Sequence, residues 1–145
     1  MASATKMVLV AAIVLVLLSL FQFPSVLAVY WKVVEVHVIN DLGINKTLTL
    51  HCNAYDDLGV KSIVYNGQFS WSFRVKTEVI YPTCYCEMAW ERSPGVQISG
   101  KFIMYLFERD DPLCDKECWR VASANGIFAL DTNGKGLTKM YDWPN

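Results

Sequence analysis

Apolar and polar residues alternate along much of the chain after its first thirty residues. The clearest case is 68–75, where Phe69, Trp71 and Phe73 are separated by polar residues. Because successive side chains of a strand point to opposite faces, this alternation predicts a strand with one buried face. The same pattern predicts strands at 34–39, 47–52 and 84–90.

Other runs complete the predicted β-structure. Residues 102–107 are apolar without interruption, which predicts a strand covered on both faces. Weaker strands are predicted at 60–65, 118–124, 126–131 and 136–142. Turn-forming residues separate the runs, and three Asn-Gly pairs (66–67, 125–126 and 133–134) favour type I′ hairpins. Outside the leader no window keeps a helical period for three turns. We therefore expect an all-β fold, an antiparallel β-sandwich of about 7–9 short strands.

The N-terminus has the organisation of a secretory signal peptide. Lys6 precedes an apolar run that only Ser19 breaks, and the small-residue pattern Val26-Leu27-Ala28 follows it. The run is shorter than the roughly 20 residues that a membrane anchor needs. We expect residues 1–28 to be removed, leaving one secreted domain at 29–145 without stable membrane insertion.

Composition narrows the function classes. The chain has 145 residues, of which 53% are hydrophobic and 19% charged, so extensive disorder is excluded. The net charge is −1 and the basic residues are scattered. A chain without a basic stripe has no electrostatic groove for nucleic acid, so no nucleic-acid partner is expected.

Catalytic chemistry is not indicated. His37 and His51 are the only histidines, and both fall in predicted strands. His51 and Cys52 are adjacent, but adjacent strand residues point to opposite faces and cannot act as a base and its nucleophile. No nucleophile elbow, phosphate loop or dinucleotide fingerprint is present. The sequence predicts neither an enzyme nor a cofactor, and paired carboxylates of a small hydrolase are the last-ranked alternative.

Metal binding is also disfavoured by spacing. The cysteine spacings Cys84-x-Cys86 and Cys114-x₃-Cys118 are not those of common zinc sites. The acidic pairs at 56–57 and 110–111 could bind calcium, but aspartate more often starts turns by bonding its own backbone. All five cysteines follow the leader, so export would place them where disulfides persist.

One glycosylation sequon is present. Asn45-Lys46-Thr47 lies between a predicted turn and a predicted strand, where an acceptor asparagine is exposed. We expect N-glycosylation at Asn45.

Several motifs together resemble one family. They are Leu48-Thr49-Leu50-His51-Cys52, Tyr55-Asp56-Asp57-Leu58-Gly59, Gly67-Gln68-Phe69-Ser70-Trp71-Ser72-Phe73, Tyr85-Cys86-Glu87-Met88-Ala89-Trp90 and Cys114-Asp115-Lys116-Glu117-Cys118-Trp119. In order and spacing, over about residues 33–131, they resemble the plant self-incompatibility protein S1 family, also called S-protein homologues. The resemblance implies a small plant protein secreted to the apoplast, with a disulfide-stabilised β-sandwich. It implies an extracellular signalling ligand, in some members a pollen-rejection determinant, whose partner is a plasma-membrane receptor on a neighbouring cell.

The resemblance also assigns the cysteines. The family's disulfide cysteines map onto Cys52, Cys86, Cys114 and Cys118, whereas Cys84 departs from the family pattern. Three connectivities are open. We favour Cys114 and Cys118 each bridging back to Cys52 or Cys86, because longer loops remove more unfolded-state entropy. For Cys84 a buried free thiol is favoured over an intermolecular link or a swapped partner.

Recognition is expected on exposed turns of the rigid scaffold. The candidate segments are 40–46, 55–60, 91–99 and the charged turn 108–111. The candidate receptor contacts within them are Asp41, Asp56, Asp57, Arg92, Asp110 and Asp111. The alternative function is an apoplastic carbohydrate-binding module, which would need Trp90, Trp119 or Trp143 exposed for stacking on sugars.

Overall fold

Two stacked β-sheets form the body of the protein. The computed structural model describes residues 2–20, 31–76, 83–131 and 136–145. Within them lie two helices, α1 (Ala2–Leu20) and α2 (Phe107–Cys114). The strands are β1 (Trp31–Asp41), β2 (Leu48–Ala54), β3 (Asp56–Ile63), β4 (Gln68–Lys76), β5 (Thr83–Ser93), β6 (Val96–Leu106), β7 (Glu117–Ser123), β8 (Gly126–Leu130) and β9 (Leu137–Tyr141).

The strands divide into a five-stranded and a four-stranded sheet. Sheet A has the order β4-β1-β7-β8-β9, and sheet B has the order β3-β2-β5-β6. Neighbouring strands are antiparallel except β1 and β7, which are parallel. The predicted all-β sandwich is confirmed, with one parallel pair that the sequence did not predict.

The core lies between the sheets and follows the alternation seen in the sequence. Val34, Val36 and Val38 of sheet A are fully buried, as are Leu48 and Leu50 of sheet B. Each such side chain contributes about 1.5–3 kcal/mol when it leaves water. Burial of these alternating apolar side chains is therefore the main contribution to the free energy that holds the two sheets together.

Both disulfides join residues that are close together in the fold. Cys52 and Cys86 are register partners on β2 and β5, with Cα atoms 4.0 Å apart. Cys114 at the end of α2 bonds to Cys118 on β7, with Cα atoms 5.1 Å apart. The favoured long-range connectivity is wrong, because the pairing of β2 with β5 already places Cys52 against Cys86. Cys84 is a free, buried thiol.

The segment around residue 107 differs from the prediction. The strand β6 ends at Leu106, and Ile103 within it is exposed rather than covered. Residues 107–114 form the short helix α2, with Pro112 inside it, instead of a charged turn. Eight residues make barely two turns, too few for a helical period to emerge from the apolar pattern.

Two turns also differ. Asn66-Gly67 is not a hairpin, because β3 belongs to sheet B and β4 to sheet A, so this turn crosses between sheets. At 125–126 a hairpin does form, with Ser123 paired to Gly126, but it is not the predicted type I′ turn, because neither Ala124 nor Asn125 has a positive φ. The predicted loop at 55–60 is mostly β3, with Tyr55 alone between the strands. The pair at 133–134 lies outside the described residues.

Candidate recognition surface

The strand directions gather the connecting segments at two opposite ends of the sandwich. We call one end the loop end; it comprises segments 41–47, 64–67, 92–95 and 124–125, which the strand registers place together. The other end carries Tyr55 and α2. Of the predicted contact residues, Asp41 and Arg92 lie at the loop end, whereas Asp56 and Asp57 lie at the opposite end.

The loop end is organised by one buried asparagine. The Asn40 side chain is fully buried. Its Nδ2 atom donates to the carbonyl oxygens of Lys46 at 2.9 Å and Ile63 at 2.7 Å. Its Oδ1 atom accepts a 2.9 Å hydrogen bond from the backbone N–H of Leu42. Losing a buried partner of this kind costs about 1–3 kcal/mol, so these bonds fix the loop that follows β1.

The Asn40 backbone links the same loop to the turn between the sheets. Its N–H donates to the carbonyl oxygen of Gly67 at 3.0 Å, and its own carbonyl oxygen accepts from Asn66 at 2.9 Å. Asn66 has a positive φ of 64°, a conformation that asparagine tolerates better than most residues. Side chain and backbone of one residue thus position three segments.

The loop after β1 turns tightly and presents its tip to solvent. Gly43 and Asn45 have positive φ values of 120° and 61°, and the Lys46 N–H donates to the Gly43 carbonyl oxygen at 3.1 Å. Ile44 between them is 77% exposed. The Lys46 Nζ atom donates to the carbonyl oxygen of Arg92 at 3.0 Å, which joins this loop to the β5–β6 hairpin. Only Pro94 and Gly95 of the predicted segment 91–99 lie outside strands.

At the opposite end Asp57 is exposed but held in place. Its carboxylate accepts a 2.8 Å hydrogen bond from the Gly59 N–H and lies 2.5 Å from Nε2 of His51. The Gly59 bond, with His51 adding to it, lowers the pKa of Asp57 below its usual value. Since Cys52 is in a disulfide, His51 has no adjacent thiol to activate.

Asp110 is buried, which contradicts its prediction as a surface contact, whereas Asp111 is partly exposed. Asp110 is 1% exposed and its carboxylate contacts Arg109 at 2.7 Å and Arg120 at 3.1 Å. Asp111 is half-buried and lies 2.5 Å from the ammonium of Lys32, which also contacts Asp115. Helix α2 turns both carboxylates towards cations of neighbouring elements, Asp110 to Arg120 and Asp111 to Lys32.

The three tryptophans considered for sugar stacking, Trp90, Trp119 and Trp143, do not form an exposed row. Trp90 and Trp143 are buried and pack on each other with ring centroids 5.9 Å apart. Trp119 is half-buried and stacks on the His37 ring at 3.9 Å. These positions contradict the feature that a sugar-stacking module would require.

The described part of the chain contains neither a metal-binding cluster nor a membrane-spanning helix. In the described ranges no group of three or more His, Cys, Asp or Glu side chains could hold a metal ion. Neither helix in that part of the chain has the length and hydropathy needed to cross a membrane.

The role of Asn40 was missed from the sequence, although a signal was present. Positions 34, 36 and 38 are apolar and point inwards, so the same alternation places position 40 inside as well. A polar residue at an inward position must find hydrogen-bond partners. Asn40 could therefore have been predicted to bind backbone groups of the adjoining turns.

Known proteins resemble this chain in sequence and in fold. A family model described as plant self-incompatibility protein S1 matches residues 35–143. S-protein homolog 3 of Arabidopsis thaliana is 32% identical over 96% of this chain and 92% of that protein. Self-incompatibility protein S1 of Papaver rhoeas is 29% identical over 81% of each. A solved self-incompatibility protein homologue, 20% identical, has the same fold, with a TM-score of 0.57 over 79% of this chain and 96% of that one. The chain belongs to the plant self-incompatibility protein S1 family.

Proposed function

We propose that this protein is a secreted ligand of plant cells, recognised at its loop end by a plasma-membrane receptor on a neighbouring cell. It acts by binding and not by catalysis. Residues 1–28 direct its export and are removed, and 29–145 form the extracellular ligand in the apoplast. The solved homologue is described as one of a family of small, highly stable, secreted proteins from plants, which supports export.

The observation that carries the proposal is the hydrogen bonding of Asn40. A surface loop that is already ordered before it meets a receptor loses less conformational entropy on binding. The Asn40 side chain makes three hydrogen bonds, to the backbone of Leu42, Lys46 and Ile63. Two of these partners belong to the loop after β1. A loop that binds a receptor through its shape gains from such a buried residue, because the residue holds the loop in one conformation before binding.

The composition of the loop end suits a protein partner. Ile44 is a protruding apolar side chain, and Asp41 and Arg92 are exposed charges at the same end. Protein interfaces commonly combine a desolvated anchor with a polar rim. Ile44 is the proposed anchor.

One relative in this family, from the poppy Papaver rhoeas, is named for self-incompatibility. We propose the broader role of cell–cell recognition, with pollen rejection as one specific form of it. Purified protein applied to growing pollen tests the specific form: selective arrest of one pollen genotype supports it, and equal growth of all genotypes contradicts it.

The broader role is tested by binding to intact cells. Full-length chain is expressed with its own leader in plant cells, purified from the medium and labelled with a fluorophore at its N-terminal amine at about pH 6.5, where lysine amines such as that of Lys46 are protonated and unreactive. The expected result is saturable binding to protoplasts of at least one tissue, competed by unlabelled protein and lost after the protoplasts are treated with trypsin. Binding that does not saturate, or that survives trypsin, contradicts a protein receptor.

A further inference from the structure

A groove crosses the outer face of sheet B, the face that points away from the core. Two adjoining hollows of about 370 and about 390 Å³ form it, and Thr49 and Ala89 line both of them. Each hollow is within the range of about 300–1,000 Å³ that is typical of sites for small molecules. The hollow nearer the loop end has mostly polar walls, which include Asn45, Thr47 and Gln97. We call the two hollows together the outer groove.

The outer groove exists because small side chains line up across the sheet. The strand registers place a row of them side by side on this face: Ser62, Thr49, Ala89 and Ser99. The next row on one side has the longer side chains of His51, Glu87 and Lys101. The next row on the other side has Glu91 paired with Gln97. Short side chains between longer ones leave a trough that runs across the strands.

Asn45 lies at one end of this groove and belongs to the glycosylation sequon. It is exposed in the turn after β1, with a positive φ of 61°. The turn is held in place, because the Lys46 N–H donates to the Gly43 carbonyl oxygen at 3.1 Å and the Lys46 Nζ atom donates to the Arg92 carbonyl oxygen at 3.0 Å. A sugar attached to Asn45 therefore starts from a fixed position beside the groove.

We propose that the glycan carried by Asn45 folds back into the outer groove, with its first N-acetylglucosamine residues lying over Thr49 and Ala89. The inference rests on glycosylation of Asn45. In that step the amide nitrogen bonds to C1 of the first sugar of a lipid-linked oligosaccharide, the bond from C1 to the lipid pyrophosphate breaks, and the nitrogen gives up one proton to solvent.

The lining of the groove suits a sugar. The hydroxyl groups of Thr47 and Thr49 and the amide of Gln97 donate and accept hydrogen bonds, and the Glu91 carboxylate accepts them from sugar hydroxyl groups. The small side chain of Ala89 leaves room for the sugar ring. Because the glycan is tethered at Asn45, its effective concentration at the groove is on the order of millimolar, so contacts too weak for a free sugar can hold it.

The position of the groove also separates the glycan from the proposed receptor contact. Ile44, the residue before Asn45, is 77% exposed at the tip of the loop. A glycan lying on sheet B extends away from that tip along β2 and β5. Glycosylation of Asn45 and binding through Ile44 are therefore compatible in one molecule.

The rate at which peptide-N-glycosidase F releases the glycan from folded protein tests the contact. Full-length chain is made in plant cells treated with kifunensine, which keeps the glycan in a high-mannose form that the enzyme removes. Ala89→Arg fills the groove, and Asn53→Arg places the same side chain on the same face outside it. The enzyme acts on molecules whose glycan has left the groove. We expect release at least about tenfold faster from Ala89→Arg than from wild type, and within about twofold of wild type from Asn53→Arg.

Intact mass spectrometry follows the release and separates the outcomes. Equal rates from folded wild type and Ala89→Arg overturn the proposal, provided that the denatured proteins all release the glycan at one rate. Ser99→Arg blocks the same groove from an exposed position on the edge strand β6 and should also speed release, so the test does not depend on one variant. A wild-type mass without a glycan also overturns the inference, and leaves receptor recognition at the loop end unaffected.

Discussion

The side-chain amide of Asn40 donates a 2.7 Å hydrogen bond to the carbonyl oxygen of Ile63, and this bond joins strands of two different sheets. Asn40 is near the end of β1 in sheet A, and Ile63 is the last residue of β3 in sheet B. The loop end is therefore held by a cross-sheet bond from a buried residue, and its shape depends on the packing of the sandwich.

Replacing this residue should weaken the whole fold. Asn40→Ala leaves the carbonyl oxygens of Lys46 and Ile63 and the N–H of Leu42 without their partner, and we expect a loss of about 2–4 kcal/mol in the free energy of unfolding. Urea denaturation measures it. Asn53→Ala, a similar change on the outer face of sheet B, should cost under about 1 kcal/mol. Equal losses in the two variants would contradict the role assigned to Asn40.

The two disulfides should differ in their contribution to stability. The Cys52–Cys86 bond closes a loop with a sequence separation of 34, and the Cys114–Cys118 bond closes one with a separation of 4. By chain entropy alone, removing the first should cost about 4 kcal/mol and removing the second about 2 kcal/mol. The double alanine variants of each pair are compared by urea denaturation. A larger loss from the Cys114 and Cys118 pair would contradict this order.

Cys84 should be unreactive in the folded protein. Burial raises the pKa of its thiol to about 12, so almost no thiolate exists at pH 8. Native protein should react with iodoacetamide far more slowly than protein in denaturant, where one cysteine per chain should be labelled. Rapid labelling of the native protein, or none in denaturant, would show that Cys84 is exposed or oxidised.

Acid should destabilise the protein through two exposed carboxylates. The Lys32 ammonium lowers the pKa of Asp115, and the Gly59 N–H, aided by His51, lowers that of Asp57, from a usual value of 3.8. Since both folded-state values lie below the unfolded ones, the unfolded chain binds more protons, and this stability is lost as the pH falls below about 3.8.

A substitution at Asp115 distinguishes the contribution of this carboxylate to the acid-induced loss of stability from that of the other acidic groups. Asp115→Asn removes the exposed carboxylate and leaves the Lys32–Asp111 pair in place, and should make the loss of stability between pH 4 and pH 2.5 shallower. Urea midpoints at several pH values measure the slope. An unchanged slope would show that this ion pair has no part in the acid response.

Asn45 should carry a glycan when the protein is made in plant cells. It is exposed in the turn after β1, and Thr47 completes the sequon. Intact mass spectrometry should show a glycan mass that Thr47→Ala abolishes. An unmodified wild-type mass would reject glycosylation at this site.

The strands could be predicted because their signal is local. Each needs only the alternation of its own residues, as at 68–75, and β4 spans Gln68–Lys76. The order of strands in the sheets carries no such signal, and the parallel pairing of β1 with β7 depends on packing across most of the chain. The predicted disulfide connectivity was wrong for the same reason. The pairing of the cysteines depends on which strands are neighbours, and the sequence carries no local signal for that.

The charged segment at 108–111 shows a second limit. Its composition suggested an exposed turn, yet Asp110 contacts Arg120, a residue of a later strand that is itself buried. A buried ion pair looks like surface charge until the tertiary fold is known. Asn40 lies between these cases, since its inward position could be predicted and its partners could not.

The claim that the loop end is the recognition surface is tested most directly by the affinity of two matched variants for intact cells. Ile44→Ser removes the proposed anchor, and Val60→Ser removes another exposed β-branched side chain, 64% exposed on β3 and outside the loop end. We expect the substitution of Ile44 to weaken saturable binding at least about tenfold and that of Val60 to leave it within about twofold, with both variants as stable as wild type. Equal affinities of the two variants would contradict the claim.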